Sequence, residues 1–224
     1  MNYRIFENPE ELILTLVRES TDQITRALDA RGIALICLAG GTRYQKFYQQ
    51  LTKQPLDWSR VVFFLGDERC VSLTDERSNF RMIKENLLDL LEAETTIEPM
   101  QVEDSDAVEH YTLILKKYGK GKWPIFDLVL LGLGTDGHTA SLFPGFVPTE
   151  EGVIVTAPGQ EPMVDRVSLT PTVLNLAEKI VVAAYGEKMK DIIAKLQINP
   201  SHYPISLITH AEFWLDKESA GTLT

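Results

Sequence analysis

The feature that most constrains this chain is a recurring grammar: short, uninterrupted apolar runs of strand length, separated by stretches with helical periodicity. Ile33-Ala34-Leu35-Ile36-Cys37-Leu38 has no polar face and is followed by Gly40-Gly41. A strand apolar on both sides must be covered on both sides, which is how strands of parallel sheets read. The same grammar returns at Val61–Leu65, Phe126–Leu131, Ile180–Tyr185 and Ile205–Ile208, so a sheet of five or more strands is predicted. Helical spacing fills the intervals. It covers Glu10–Arg31, with Leu12, Leu16, Ile24 and Leu28 on one side and Gly32 as its stop, then about Tyr44–Thr52, Asn79–Leu91, Ala107–Tyr118, Pro171–Leu176 and Glu187–Leu196. Alternating strands and helices predict an α/β fold, an open, mostly parallel sheet with helices on both faces. With 224 residues, 44% of them hydrophobic, and neither repeat nor linker, one domain over residues 1–224 is expected.

Charge narrows the partners. The net charge of −10 comes with no basic run, which argues against a grip on nucleic acid. No stretch approaches the roughly 18 apolar residues of a membrane span. Met1–Glu7 lacks the apolar run of a signal peptide, so no membrane association and a cytoplasmic location are expected. Cys37 and Cys70 have no metal-ligand spacing and read as structural.

Ligands of open α/β sheets bind beyond the carboxyl ends of the strands, so the segments just after each strand carry the functional information. Gly40-Gly41-Thr42-Arg43 could cradle an anion on backbone N–H groups, with Arg43 tilting an otherwise plain tight turn toward that use. Asp67-Glu68-Arg69 puts three charges at the end of a buried strand, where a solvated turn would be the ordinary reading. Gly132-Leu133-Gly134-Thr135-Asp136-Gly137-His138 sets an imidazole among glycines with a carboxylate two residues away, an arrangement suited to general-base work. Arg166 and Lys188 follow later, and with Arg43 and Arg69 they make four cations able to converge on one anion. The glycines at 132, 134 and 137 also match a dinucleotide fingerprint, but Phe143-Pro144-Gly145 follows where a long helix should run, so that reading is rejected. Ser141 lies near His138 without a nucleophile elbow, so a serine triad is rejected too.

These blocks together resemble the 6-phosphogluconolactonases, relatives of glucosamine-6-phosphate deaminase. The resemblance rests on Gly40-Gly41-Thr42, Asp67-Glu68-Arg69 with Ser78-Asn79, the Asp136-Gly137-His138 segment through Ala140-Ser141-Leu142-Phe143-Pro144, Arg166-Val167-Ser168-Leu169-Thr170, Gly186-Glu187-Lys188 and Phe213-Trp214-Leu215-Asp216. It implies a Rossmann-like fold, no cofactor, and hydrolysis of 6-phospho-D-glucono-1,5-lactone to 6-phospho-D-gluconate in the oxidative pentose phosphate pathway; no metal is expected, because His138 and Asp136 lack further ligands at a recognised spacing. It also implies His138 as base with Asp136 beside it, and phosphate contacts from Gly40, Gly41, Thr42, Arg69, Arg166 and Lys188. Asp67 would hold the sugar or organise its loop. The family usually continues its Gly-Gly with Ser-Thr-Pro; Thr42-Arg43-Tyr44 stands here, so Arg43 either adds a phosphate contact or bends the loop. The deaminase branch carries a glutamate after Asp-Gly-His, where this chain has Phe143, which cannot transfer a proton. The alternatives are a sugar-phosphate isomerase of that branch or a non-catalytic sugar-phosphate binder. A small phosphorylated lactone is the expected ligand, and a monomer or weak homodimer the expected assembly.

Overall fold

The computed structural model describes residues 1–119, 121–159 and 161–223. Chain order gives β1 (Asn2–Phe6), α1 (Pro9–Arg31), β2 (Ala34–Leu38), α2 (Gln45–Leu51), β3 (Val61–Leu65), β4 (Asp67–Arg69), α3 (Asn79–Asn86), β5 (Thr96–Glu98), α4 (Ala107–Tyr118), β6 (Leu128–Gly132), β7 (Val153–Thr156), β8 (Arg166–Leu169), α5 (Pro171–Leu174), β9 (Ile180–Ala183), α6 (Lys190–Ile198), β10 (Glu212–Asp216) and α7 (Lys217–Ala220). Local chemistry sets the first helix. Asn8 accepts the Glu11 N–H, Pro9 opens the helix where its missing N–H costs nothing, and Gly32 closes it at φ 73°. Its buried side carries Leu12, Leu16, Ile24 and Leu28, as the spacing predicts.

The large sheet has the order β1-β10-β9-β6-β2-β3-β5, and every neighbouring pair is parallel. Helices flank it, and β2, β3 and β9 are buried along their whole length, the consequence of cover on both faces. The core cluster runs from Phe6 to Ala220 and draws on both sides of the sheet. A second, antiparallel sheet, β4-β8-β7, stands at the carboxyl edge of the first. Among the described residues, no helix is long and apolar enough to cross a membrane.

Several expectations change. Ile205–Ile208 is not a strand: Pro204–Leu207 forms a 3₁₀ turn, opened by a proline that has no N–H for a ladder, and Ile205 donates its N–H to Gly137 O instead (3.1 Å). The helix expected over Asn79–Leu91 ends at Asn86 and continues as a 3₁₀ turn, Leu88–Leu90. The helices expected from Tyr44 and Glu187 begin later, at Gln45 and Lys190, each after a 3₁₀ turn.

At the opposite, amino edge of the sheet, Asp127 is fully buried. It accepts the Leu35 N–H (2.8 Å) and pairs with Arg31, tying the end of α1 to the entry of β2 and β6. Asp127→Ala strands that buried N–H and leaves Arg31 with Glu178 alone, and should cost about 3 kcal/mol. For a chain of this size the loss appears as a Tm lower by roughly 6–12 °C in a thermal melt.

Candidate active site

The strand order reverses between β2, whose chain moves on to β3, and β6, which lies on the other side of β2. The loops leaving these three strands therefore part and leave a crevice, the usual ligand position in such sheets. The crevice is a cleft of about 160 Å³, lined among others by Gly40, Gly41, Arg43, Asp67, Arg69, Asn79, His138 and Arg166.

His138 reaches it on a tight turn. Gly137 donates its N–H to Gly134 O (3.0 Å), and Gly134 donates to His138 O (2.9 Å). Gly137 has φ +83°, and Gly134 lies so close under the ring that a Cβ there would sit 2.1 Å from His138 Nδ1. Nδ1 lies 2.6 Å from Asp136 Oδ1, which also accepts the His138 backbone N–H (3.1 Å). With Asp136 accepting from Nδ1, a neutral ring leaves Nε2 as the free acceptor, and no hydrogen bond among the described residues engages it. The turn is backed by Tyr203, whose ring packs on Gly137, and by the Ile205 N–H on Gly137 O. The Phe143 ring stands 4.9 Å from the imidazole, and the Arg166 guanidinium carbon lies 5.2 Å from the centroid of that same phenyl ring.

The three charges after β3 have separate duties. Glu68 is wholly buried and accepts from Ser78 Oγ and from the N–H groups of Arg69, Asn79 and Phe80, so it holds the start of α3. Burial pushes its carboxyl above the usual carboxylate range, and those N–H groups offset part of the rise. Asp67 accepts from Ser141 Oγ (2.5 Å) and from Asn79 Nδ2 (3.2 Å), joining β4 to the segment that follows His138. Ser141 is thus committed to Asp67, not to the imidazole. Arg69 and Arg166 face each other directly across β4 and β8. Like charges opposed on one sheet face repel, and the nearby carboxylates of Asp67 and Glu68 offset part of that repulsion at Arg166. Arg166 is 3% exposed, burial pulls its guanidinium below the ordinary arginine range, and the Arg69 Nε is buried with no acceptor among the described residues.

Lys188 lies apart from this pair. It lines an adjoining cleft with Gly41, Thr42 and Gly186, which shares Gly40, Gly41, Arg43 and Gly132 with the first. Its loop is pinned by Asp216, which accepts the Gly186 N–H (3.0 Å) while capping α7. Arg43 forms the wall between the two clefts, its guanidinium donating to Leu133 O (3.1 Å) and touching Met189 Sδ. The four cations expected to meet on one anion therefore divide, two with His138 and one beyond the Gly40-Gly41 edge, with Arg43 between. Among the described residues, no group of three or more His, Cys, Asp or Glu side chains is placed to hold a metal.

A family model described as glucosamine-6-phosphate isomerases/6-phosphogluconolactonase matches residues 7–216. The chain belongs to that family. A 6-phosphogluconolactonase of Rhizobium meliloti is 32% identical over 203 residues, covering 88% of this chain and 87% of its own. One of Synechocystis is 32% identical over 213 residues, covering 90% and 89%. The solved structure of the Trypanosoma brucei 6-phosphogluconolactonase superposes with a TM-score of 0.86 at 28% identity, over 100% of this chain and 98% of that one. Against the family pattern, Tyr44 at the departure point is buried and donates to Leu131 O (2.8 Å), so the substituted residue plugs the sheet end between β6 and β9. Residue patterns flag Asn79, Ser141 and Phe143 only as members of family segments, and they do not place Tyr203 at the site or join Ser141 to Asp67. The Ser78-Asn79 pair, at the amino end of a helix beside the Asp-Glu-Arg loop, is such a segment.

Gly134→Ala should drive the imidazole off Asp136, because the new methyl would overlap both side chains. Displaced His138 ring signals in NMR, with a Tm within a few degrees of wild type, are the expected result.

Proposed function

We propose that this protein hydrolyses 6-phospho-D-glucono-1,5-lactone to 6-phospho-D-gluconate, a step of the oxidative pentose phosphate pathway, with His138 as the general base. One observation carries the reading: an imidazole fixed through Nδ1 by Asp136 turns its other nitrogen to a cleft that also holds two opposed guanidinium groups. The names of the 32%-identical relatives support the same substrate.

A lactone is an activated ester. Nε2 takes a proton from water as the oxygen adds to C1, the carbonyl electrons move onto oxygen, and collapse of that oxyanion breaks the bond from C1 to the ring oxygen, which receives the proton from the imidazolium. Asp136 keeps the ring in the required tautomer and stabilises the imidazolium. The family resemblance implies Arg69, Arg166 and Lys188 on the phosphate and leaves Arg43 open, whereas the two adjoining clefts favour a division of labour. The substrate lies across the Gly40-Gly41 edge, its phosphate toward Thr42 and Lys188, its carbonyl toward His138, Arg69 and Arg166. Lys188 suits phosphate capture, being exposed and without an ion pair or hydrogen bond among the described residues. The arginine pair suits the carbonyl end, as positive charge fixed where negative charge develops. Phosphate binding supplies remote energy that positions the carbonyl. Phe143 argues against aldose–ketose isomerisation, since the side chain beside the imidazole cannot carry a proton.

The test is the rate of lactone opening, with substrate generated in situ and spontaneous hydrolysis subtracted. His138→Ala should lower kcat by roughly 10²- to 10⁴-fold. Lys188→Ala should act mainly on KM. Wild type no faster than buffer would defeat the lactonase reading.

A further inference from the structure

Two loops of this chain have the same backbone. After β2, Gly41 at φ 91°, ψ 157° leads into a 3₁₀ turn, Thr42–Tyr44, and then α2. After β9, Gly186 at φ 88°, ψ 154° leads into a 3₁₀ turn, Glu187–Met189, and then α6. The last residues of the two turns, Tyr44 and Met189, match within a few degrees (−89°, −10° and −88°, −13°), and both are buried. The residue before each is a cation, Arg43 in one turn and Lys188 in the other. Matching backbones nevertheless give the two cations opposite situations. Lys188 is exposed and unengaged among the described residues, whereas Arg43 is half-buried, with its guanidinium on Leu133 O and Met189 Sδ.

We propose that Arg43 is a positioning residue, tying the loop that carries His138 to the two loops that grip the phosphate, and is not itself a phosphate ligand. Three loops meet on it. Its carbonyl accepts the Tyr185 hydroxyl, its guanidinium reaches the residue after Lys188, and its Nη1 holds the Leu133 carbonyl. That last contact has a direct route to the base. The Leu133 carbonyl and the Gly134 N–H are two ends of one rigid peptide plane, and Gly134 N–H donates to His138 O (2.9 Å). A shift of the carbonyl therefore tilts the turn on which the imidazole stands. A planar guanidinium can hold a carbonyl and a thioether at once in fixed directions, which a single ammonium cannot do.

The kinetic part of this inference rests on the lactonase reading, so a second measurement is independent of turnover. In Arg43→Met, which keeps the bulk and loses the donors, hydrogen exchange at the Gly134 amide should accelerate by about tenfold or more if Arg43 pins that peptide. Unchanged exchange there, in a variant whose global stability is also unchanged, would overturn the proposal. In steady-state assays Arg43→Ala and Arg43→Met should lose roughly ten- to a hundredfold in kcat with KM within about threefold of wild type, and Arg43→Lys should recover only part of the loss. The same factor should appear with unphosphorylated glucono-1,5-lactone. A loss confined to KM and absent with the unphosphorylated lactone makes Arg43 a phosphate ligand and refutes the positioning role. Wild type inactive on both lactones defeats the lactonase reading and leaves the exchange result to decide the role of Arg43.

Discussion

Every strand of the large sheet runs the same way, and that single constraint decides where chemistry is possible in this protein. Parallel strands deliver all their outgoing loops to one edge, where ligands of such sheets bind, while apolar cover closes both faces. The order reverses between β2 and β6, so the loops after these strands separate, and the cleft opens where they part. The small β4-β8-β7 sheet closes its far side by bringing Arg166 opposite Arg69.

Loops at such an edge have little apolar surface of their own to fix them, and here buried or half-buried carboxylates hold them in place. Glu68 gathers three backbone N–H groups and a hydroxyl at the start of α3, Asp67 joins Ser141 and Asn79, Asp216 binds Gly186 while capping α7, and Asp136 holds His138. A carboxylate is well matched to this role because it accepts several bonds at once, and bonds to a charged acceptor are stronger than neutral ones. The acidic composition of the chain is therefore partly structural, since several of its acids serve backbone amides.

How much of this is legible in the residues follows from the same physics. β2, β3, β6 and β9 are readable because a strand covered on both faces has no polar side to confuse the pattern, and α1 because its cap and stop are written in Asn8, Pro9 and Gly32. β1 is not, since an edge strand with Asn2 and Ile5 exposed mixes polar and apolar residues without a period. β4 is hidden because its residues are Asp-Glu-Arg, acceptable in a strand only because α3 supplies the amides that satisfy Glu68. Ile205–Ile208 misleads for the converse reason: Ile205 is apolar because it is fully buried in the core, and periodicity cannot separate a buried turn from a strand. His138 stands out through its glycine neighbours. Ser141 does not, because its partner Asp67 lies 74 residues away and no local pattern encodes that distance.

The cations carry the same lesson further. Arg43 and Lys188 occupy equivalent positions on equivalent turns, so neither propensity nor backbone geometry distinguishes them. What distinguishes them is what lies opposite. The Arg43 turn leaves β2 beside β6, the neighbour across the order reversal, and a carbonyl of the loop after β6 lies within reach of its side chain. The Lys188 turn leaves β9, and its cation meets an open cleft with no acceptor among the described residues. The loop after β6 thus carries the imidazole and also offers the carbonyl that turns one of two matching cations from a group able to bind a ligand into a strut between loops. Both turns leave strands that border β6, so the role of each cation is set by the acceptors its side chain reaches, which motif matching alone cannot supply.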